Sequence, residues 1–191
     1  MLNVMKKILI VVDYQKDFYD PKGALYVKDG EKLLPKIAKI ASLCDRVIYT
    51  KDCHPYNHCS FNENGGIWPI HCVEHTEGAS IPLELIKCNS KFDIWRKGIY
   101  YNAEEYGAFA PTYDANNYEV LQYIRDYQDK EFIICGIAGD YCVLETLKNL
   151  LKLVPNSQIK VFTDGIVSID GGDKLNQFIA QEKLNIYSYD N

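Results

Sequence analysis

Ile134-Cys135-Gly136-Ile137-Ala138-Gly139-Asp140-Tyr141-Cys142-Val143 begins inside a branched apolar run, breaks at small residues and continues into Val143, Leu144, Leu147, Leu150 and Leu151 at helical spacing. A strand that turns directly into a helix is one step of an open α/β sheet. The run at 132–135 has counterparts at 8–12, 47–50 and 159–162, continuous rather than alternating, as expected of strands buried on both faces. Segments 91–96 and 184–189 read as a weaker strand and a last one. Helical spacing recurs in Leu33, Leu34, Ile37, Ile40 and Ala41, in Val120, Leu121 and Ile124, and in Leu175, Phe178 and Ile179. The alternation predicts a doubly wound, mainly parallel six-stranded α/β sheet with helices on both faces, a Rossmann-like three-layer arrangement. An all-helical domain does not account for short branched runs that end in Asp or Gly.

Such a sheet collects its functional side chains outside the carboxyl ends of its strands. Asp13, Asp52, Lys97 and Cys142 each follow a different predicted strand, so four distant positions are expected to be neighbours. Cys142 sits where the strand becomes a helix, a place where backbone amides and the helix dipole favour a thiolate and bind a developing oxyanion. A thiol nucleophile needs a base, and Asp13 at the end of the first strand can serve if a cation such as Lys97 and burial tune it. Taken singly, Cys142 reads as a buried structural thiol, Asp13 as a strand-end cap and Lys97 as a solvated charge. Their joint placement at strand ends favours the functional reading.

Residues 52–79 are long and poor in periodic apolar positions, and a loop of that length in a compact domain is usually functional. Asp52 and His54 are two apart, so in extended chain their side chains point the same way. His58 and His71 follow in the same stretch. One carboxylate with two or three imidazoles suits zinc, iron or manganese and leaves positions open for water or substrate. Cys53, Cys59 and Cys72 form a rival structural zinc set, but their spacing lacks paired Cys-x-x-Cys ligands and alternation points Cys53 away from Asp52 and His54.

The 191 residues fit one domain, 1–191, which would bury roughly 70% of its unfolded surface. A net charge of −5 with scattered Lys and Arg argues against a nucleic-acid surface. Lys6 and Lys7 precede an apolar run that Asp13 soon interrupts, too short for a signal peptide or a membrane span. Seven cysteines without an export signal read as reduced thiols, so a cytoplasmic protein is expected. Oligomeric state, a homo-oligomer included, stays open.

In order, and along nearly the whole chain, these segments resemble the nicotinamidases of the isochorismatase-like cysteine hydrolase superfamily. Val11-Val12-Asp13-Tyr14-Gln15-Lys16-Asp17-Phe18 and Gly23-Ala24-Leu25-Tyr26-Val27 resemble the opening of that family. Thr50-Lys51-Asp52-Cys53-His54-Pro55, His58-Cys59-Ser60-Phe61 and Trp68-Pro69-Ile70-His71-Cys72-Val73 resemble its metal region. Lys97-Gly98, Tyr106-Gly107-Ala108-Phe109 and Asp140-Tyr141-Cys142-Val143 complete the pattern. The Asp, Lys and Cys set is shared across the superfamily and gives the reaction class; the metal region points to nicotinamidase.

The resemblance implies hydrolysis of nicotinamide to nicotinate and ammonia through a cysteine thioester, in salvage of pyridine nucleotides. It implies Asp52, His54 and His71 as ligands of one divalent metal ion, zinc first and iron or manganese next, with His58 a fourth ligand or an outer partner. Phe18, Trp68, Tyr106 and Ile137 would contact the substrate, and the amides of Ala138 and Cys142 would hold the oxyanion beside a cis peptide at Ile137–Ala138. Asp13 would take the thiol proton, and Lys97 would keep Asp13 and Cys142 charged. Three departures stand out: Gly139 where Thr is frequent, implying a more flexible oxyanion loop; His75 where Gly is usual, in the pocket or on a loop; and Cys53 in place of an aromatic residue.

Other readings remain at this point. Another amide or carbamoyl hydrolase of the superfamily would prefer a different amide, and a non-catalytic relative would take up metal without thiol-dependent turnover. A non-haem iron oxygenase would leave Cys142, Asp13 and Lys97 without a role.

Overall fold

A computed structural model describes residues 5–111 and 114–189. Six parallel strands form one sheet: β1 (Lys6–Val12), β2 (Arg46–Asp52), β3 (Phe92–Lys97), β4 (Lys130–Ile137), β5 (Ile159–Val167) and β6 (Asn185–Ile186), in the order β3-β2-β1-β4-β5-β6. The strand order reverses direction between β1 and β4, where open α/β sheets place their crevice.

The central strands are apolar on both faces because both faces are covered. Ile8, Ile10 and Val12 of β1 and Phe132 and Ile134 of β4 point into one layer, packed by α4 (Ala115–Arg125), α5 (Leu144–Leu150) and α6 (Asp173–Glu182). Leu9 and Val11 of β1 and Ile133, Cys135 and Ile137 of β4 point into the other, against α2 (Leu34–Leu43) and α3 (Leu83–Cys88). Each fully buried Leu, Ile or Phe contributes roughly 1.5–3 kcal/mol relative to exposure, so the two layers hold the strand ends in fixed relation.

The helical spacings of the sequence correspond to α2, α4, α5 and α6. The strand limits differ more. β5 runs to Val167, past the apolar run, and its pairing with β4 shifts register between Ile134 and Gly136. Gly136 lies at φ +125°, and a Cβ there would stand 2.0 Å from the carbonyl oxygen of its β1 partner Val12, so the close approach of β1 and β4 requires glycine. β6 pairs with β5 at Asn185 and Ile186, and the Tyr187 amide adds a bond to the Val161 carbonyl at 2.9 Å. α3 and the single turn α1 (Lys16–Tyr19) are too short to show a helical period.

Candidate active site

The four adjacent strands β3, β2, β1 and β4 end in Lys97, Asp52, Asp13 and Cys142 respectively or one turn beyond. Asp52 and Lys97 are register partners on neighbouring strands, which sets their side chains side by side on one face. Lys97 Nζ lies 2.8 Å from Asp13 Oδ2, 2.5 Å from Asp52 Oδ1 and 3.8 Å from Cys142 Sγ. All four residues are buried. The expected convergence is therefore present, with one ammonium shared by two carboxylates and a thiol.

Asp13 is held by a residue the sequence did not single out. Thr50 donates its hydroxyl to Asp13 Oδ1 at 2.6 Å and accepts the Asp13 amide at 3.1 Å. Asp13 Oδ2, although close to Lys97, is oriented off the line of a hydrogen bond and is left with open acceptor capacity. Burial pushes the Asp13 carboxyl upward, with Lys97 opposing and Asp52 adding to the rise. Burial also acts to raise Asp52, but Lys97 and His54 outweigh it and hold that carboxyl below its ordinary range.

Burial likewise pushes the Cys142 thiol well above its usual range, and Asp13 and Asp52 reinforce this against Lys97. This direction opposes the thiolate-favouring influence expected of the strand-to-helix turn. Gly139–Val143 forms a single π-helical turn, with the Val143 amide donating to the Ala138 carbonyl at 3.0 Å. The Ile137–Ala138 peptide is cis. Asp140 ties this turn to the next loop, accepting from the amides of Ile169 and Asp170 at 2.9 and 3.1 Å. At Gly139 a Cβ would meet Ser168 Oγ at 2.1 Å, so a larger residue there would need Ser168 to move.

Beside this group, ligand atoms of Asp52, His54 and His71 all lie within 4.8 Å of one another. The loop is shaped for it: His54 and Glu74 amides donate to the Cys72 and His54 carbonyls, pairing 54 with 73, and Asp17 Oδ2 accepts the Cys72 amide at 2.7 Å. Gln15 fixes the other flank, accepting the Asp52 amide at 2.7 Å and donating to the Asp52 carbonyl at 2.8 Å. His54 Nδ1 faces the Gly98 carbonyl at 3.0 Å and His71 Nδ1 the Pro69 carbonyl at 2.8 Å. Each Nδ1 donates to a carbonyl as N–H, which turns each Nε2 toward the cluster, where His54 Nε2 lies 3.6 Å from Asp52 Oδ2 and, against burial, Asp52 raises the His54 imidazole. Burial lowers His71, favouring the neutral form a ligand needs.

His58 stacks on His54 with ring centroids 4.1 Å apart, but its nitrogens are taken by Ser60 Oγ at 2.7 Å and the Ala103 carbonyl at 3.1 Å. It stands next to the cluster rather than in it. Among the described residues Cys53, Cys59 and Cys72 do not gather into a ligand set. His75 is exposed at φ +67°, on a loop and away from the cavity.

A cleft opens onto Cys142, Asp52, His54 and His71, walled by Phe18, Trp68 and Tyr106. Trp68 Nε1 donates to the Tyr106 hydroxyl at 3.0 Å, and the segment after Tyr106 is tied down by Thr146, whose hydroxyl accepts the Ala108 amide at 3.1 Å. Ile137, expected against the substrate, does not line the cleft: its side chain is fully buried in the layer that contains α2. Val27 and Glu104 line it without having been foreseen. Thr50 and Gln15 carry a signal that sequence inspection passes over, since each is a buried polar residue flanking a strand end.

Residues 7–175 match the Isochorismatase domain model. The chain belongs to the isochorismatase family. Within it the chain is a hydrolase of the nicotinamidase group, acting on an amide bond. A nicotinamidase of Acinetobacter baylyi is 31% identical over 192 residues, covering 92% of this chain and 87% of the relative. A pyrazinamidase of Pyrococcus horikoshii, solved in complex with zinc, is 29% identical with a TM-score of 0.78 over 96% of this chain and 99% of its own. PnC1 from L. infantum, solved in complex with nicotinate, is 27% identical with a TM-score of 0.83 over 99% of this chain and 96% of its own.

Proposed function

We propose that residues 1–191 act as one hydrolase domain that converts nicotinamide to nicotinate and ammonia in the cytoplasm, through a thioester on Cys142. The observation that carries this reading is the contact of Lys97 with Asp13, Asp52 and Cys142 on the floor of a cleft that also presents His54 and His71. Among the described residues no helix is long and apolar enough to cross a membrane.

The ring of the amide sits between Phe18 and Trp68, with the carboxamide over Cys142. Asp13 takes the thiol proton as sulfur bonds to the carboxamide carbon, a general-base step that suits a carboxyl raised by burial. The amides of Ala138 and Cys142 hold the oxyanion. When the C–N bond breaks, Asp13 returns the proton to the leaving nitrogen and ammonia departs. Water then gives a proton to Asp13 and attacks the thioester carbon; the C–S bond breaks, and the sulfur regains its proton. Lys97 keeps Asp13 ionised between these transfers.

Asp52, His54 and His71 would hold a divalent ion, zinc first and iron or manganese next, with His58 an outer partner that packs on His54. The donor set fits: one carboxylate held ionised and two imidazoles whose Nδ1 atoms are taken by carbonyls, with ligand atoms of all three residues gathered together. Bound there, such an ion would supply a Lewis acid for the pyridine nitrogen of the substrate.

Ammonia release from nicotinamide by metal-replete protein tests the reading, and no release from folded, loaded protein would overturn it. Chelation is expected chiefly to raise the apparent KM; an unchanged KM in metal-free protein would remove the ring-anchoring role. Gly98→Ala tests the cluster separately. Gly98 lies at φ +62°, and a Cβ there would stand 2.3 Å from His54 Cε1, so alanine displaces that imidazole. A fall in metal affinity of about 10- to 100-fold is expected, measured by competition with a chromogenic chelator.

A further inference from the structure

Acyl transfer at Cys142 gives no task to Glu104, which lines the cleft together with Asp52, His54 and Cys142. Its side chain stays open to solvent at the mouth, and its Oε1 accepts the Glu105 amide at 3.1 Å. That is its one side-chain hydrogen bond among the described residues, and no cation there pairs with it. The carboxylate nonetheless shares the field of the site: burial and Asp52 push it upward, while His54 and Lys97 oppose. An unpaired negative charge thus stands at the entrance of a cleft whose substrate is a neutral amide and whose product is an anion.

We propose that Glu104 is a specificity-determining residue that disfavours the carboxylate product relative to the carboxamide, so that the cleft empties after the acyl group is hydrolysed. The inference rests on the amide-hydrolase reading above. Amide and acid carry the same ring, so Phe18, Trp68 and the ring-nitrogen anchor hold both alike and cannot discriminate between them. Only a charge can. The field of Glu104 adds to that of every other group in the cleft, acting on a full negative charge far more than on a neutral dipole. Asp13 and Asp52 also repel an anion but lie in contact with the Lys97 ammonium, whereas no cation among the described residues pairs with Glu104. Because Glu104 is open to solvent, its effect is moderate and sensitive to salt.

The test is equilibrium binding of nicotinate and nicotinamide, by calorimetry, to metal-loaded Cys142→Ala protein with and without Glu104→Gln. Glu104→Gln is expected to lower the ratio of the acid's Kd to the amide's Kd by about three- to tenfold. Glu104→Asp should keep most of the discrimination, and added salt should narrow the gap between the proteins with and without Glu104→Gln. An unchanged ratio in Glu104→Gln overturns the inference while leaving the hydrolase reading intact. Absence of ammonia release from the unmodified protein overturns both.

Discussion

Replacing Cys142 with alanine is expected to abolish ammonia release from nicotinamide, a loss of about four orders of magnitude or more, because removing the nucleophile leaves only binding and oxyanion stabilisation. Binding of nicotinamide should change little. The walls Phe18 and Trp68 and the Asp52, His54 and His71 cluster do not depend on the sulfur, and the 3.8 Å contact from Lys97 to Sγ is the longest of that ammonium's contacts with the catalytic groups. Stability should fall only slightly, since alanine fits the π-helical turn and removes a single buried atom. A stopped reaction in the unmodified protein should yield a nicotinoyl adduct at Cys142 in intact-mass spectra, and none in the variant. Turnover by Cys142→Ala within tenfold of the parent protein would sink the covalent route.

The position of Cys142 was legible because the chain punctuates each buried strand with the residue that does the chemistry. Continuous apolar runs locate strands buried on both faces, their ends locate the sheet edge, and Asp13, Asp52, Lys97 and Cys142 mark those ends. What the pattern leaves out depends on tertiary pairing. The full length of β5 depends on a register shift against β4 and the extent of β6 on its pairing with β5, and neither has a period to read. Thr50 lies within an apolar run, and its partner Asp13 is 37 residues away. At Cys142 local context and tertiary context pull apart, since a strand-to-helix turn favours thiolate while burial beside Asp13 and Asp52 pushes the thiol upward. His58 has ligand chemistry, but Ser60 and Ala103 consume both of its nitrogens. The exclusion of Ile137 from the cleft depends on which face of β4 it occupies, and a strand apolar on both faces does not reveal that.

Lys97→Met should be the most destabilising of these substitutions, and its cost should depend on pH with a definite sign. The ammonium is the only cation contacting both Asp13 and Asp52 among the described residues, and the two carboxylates lie with Cys142 in a group whose ligand atoms are within 4.8 Å of one another. Methionine fills much of the space but leaves two buried carboxylates facing each other. Breaking a buried pair in this way costs about 3 to 5 kcal/mol at neutral pH. The protein escapes by protonating a carboxyl, whose folded pKa then lies above its unfolded value of about 4. A group raised in the fold contributes stability fully below its unfolded pKa and loses it as pH climbs through the folded one. The deficit relative to the parent should therefore be smallest near pH 4 and grow toward pH 7, reversing the trend of the parent at Asp52, whose depressed carboxyl contributes stability above about pH 4 and loses it as the solution is acidified. Denaturant midpoints of metal-free protein at about pH 4.5 and about pH 7.5, either side of that window, measure this directly. An equal deficit at both would mean that Lys97 acts by packing rather than by charge, and the electrostatic account of the catalytic floor would fall with it.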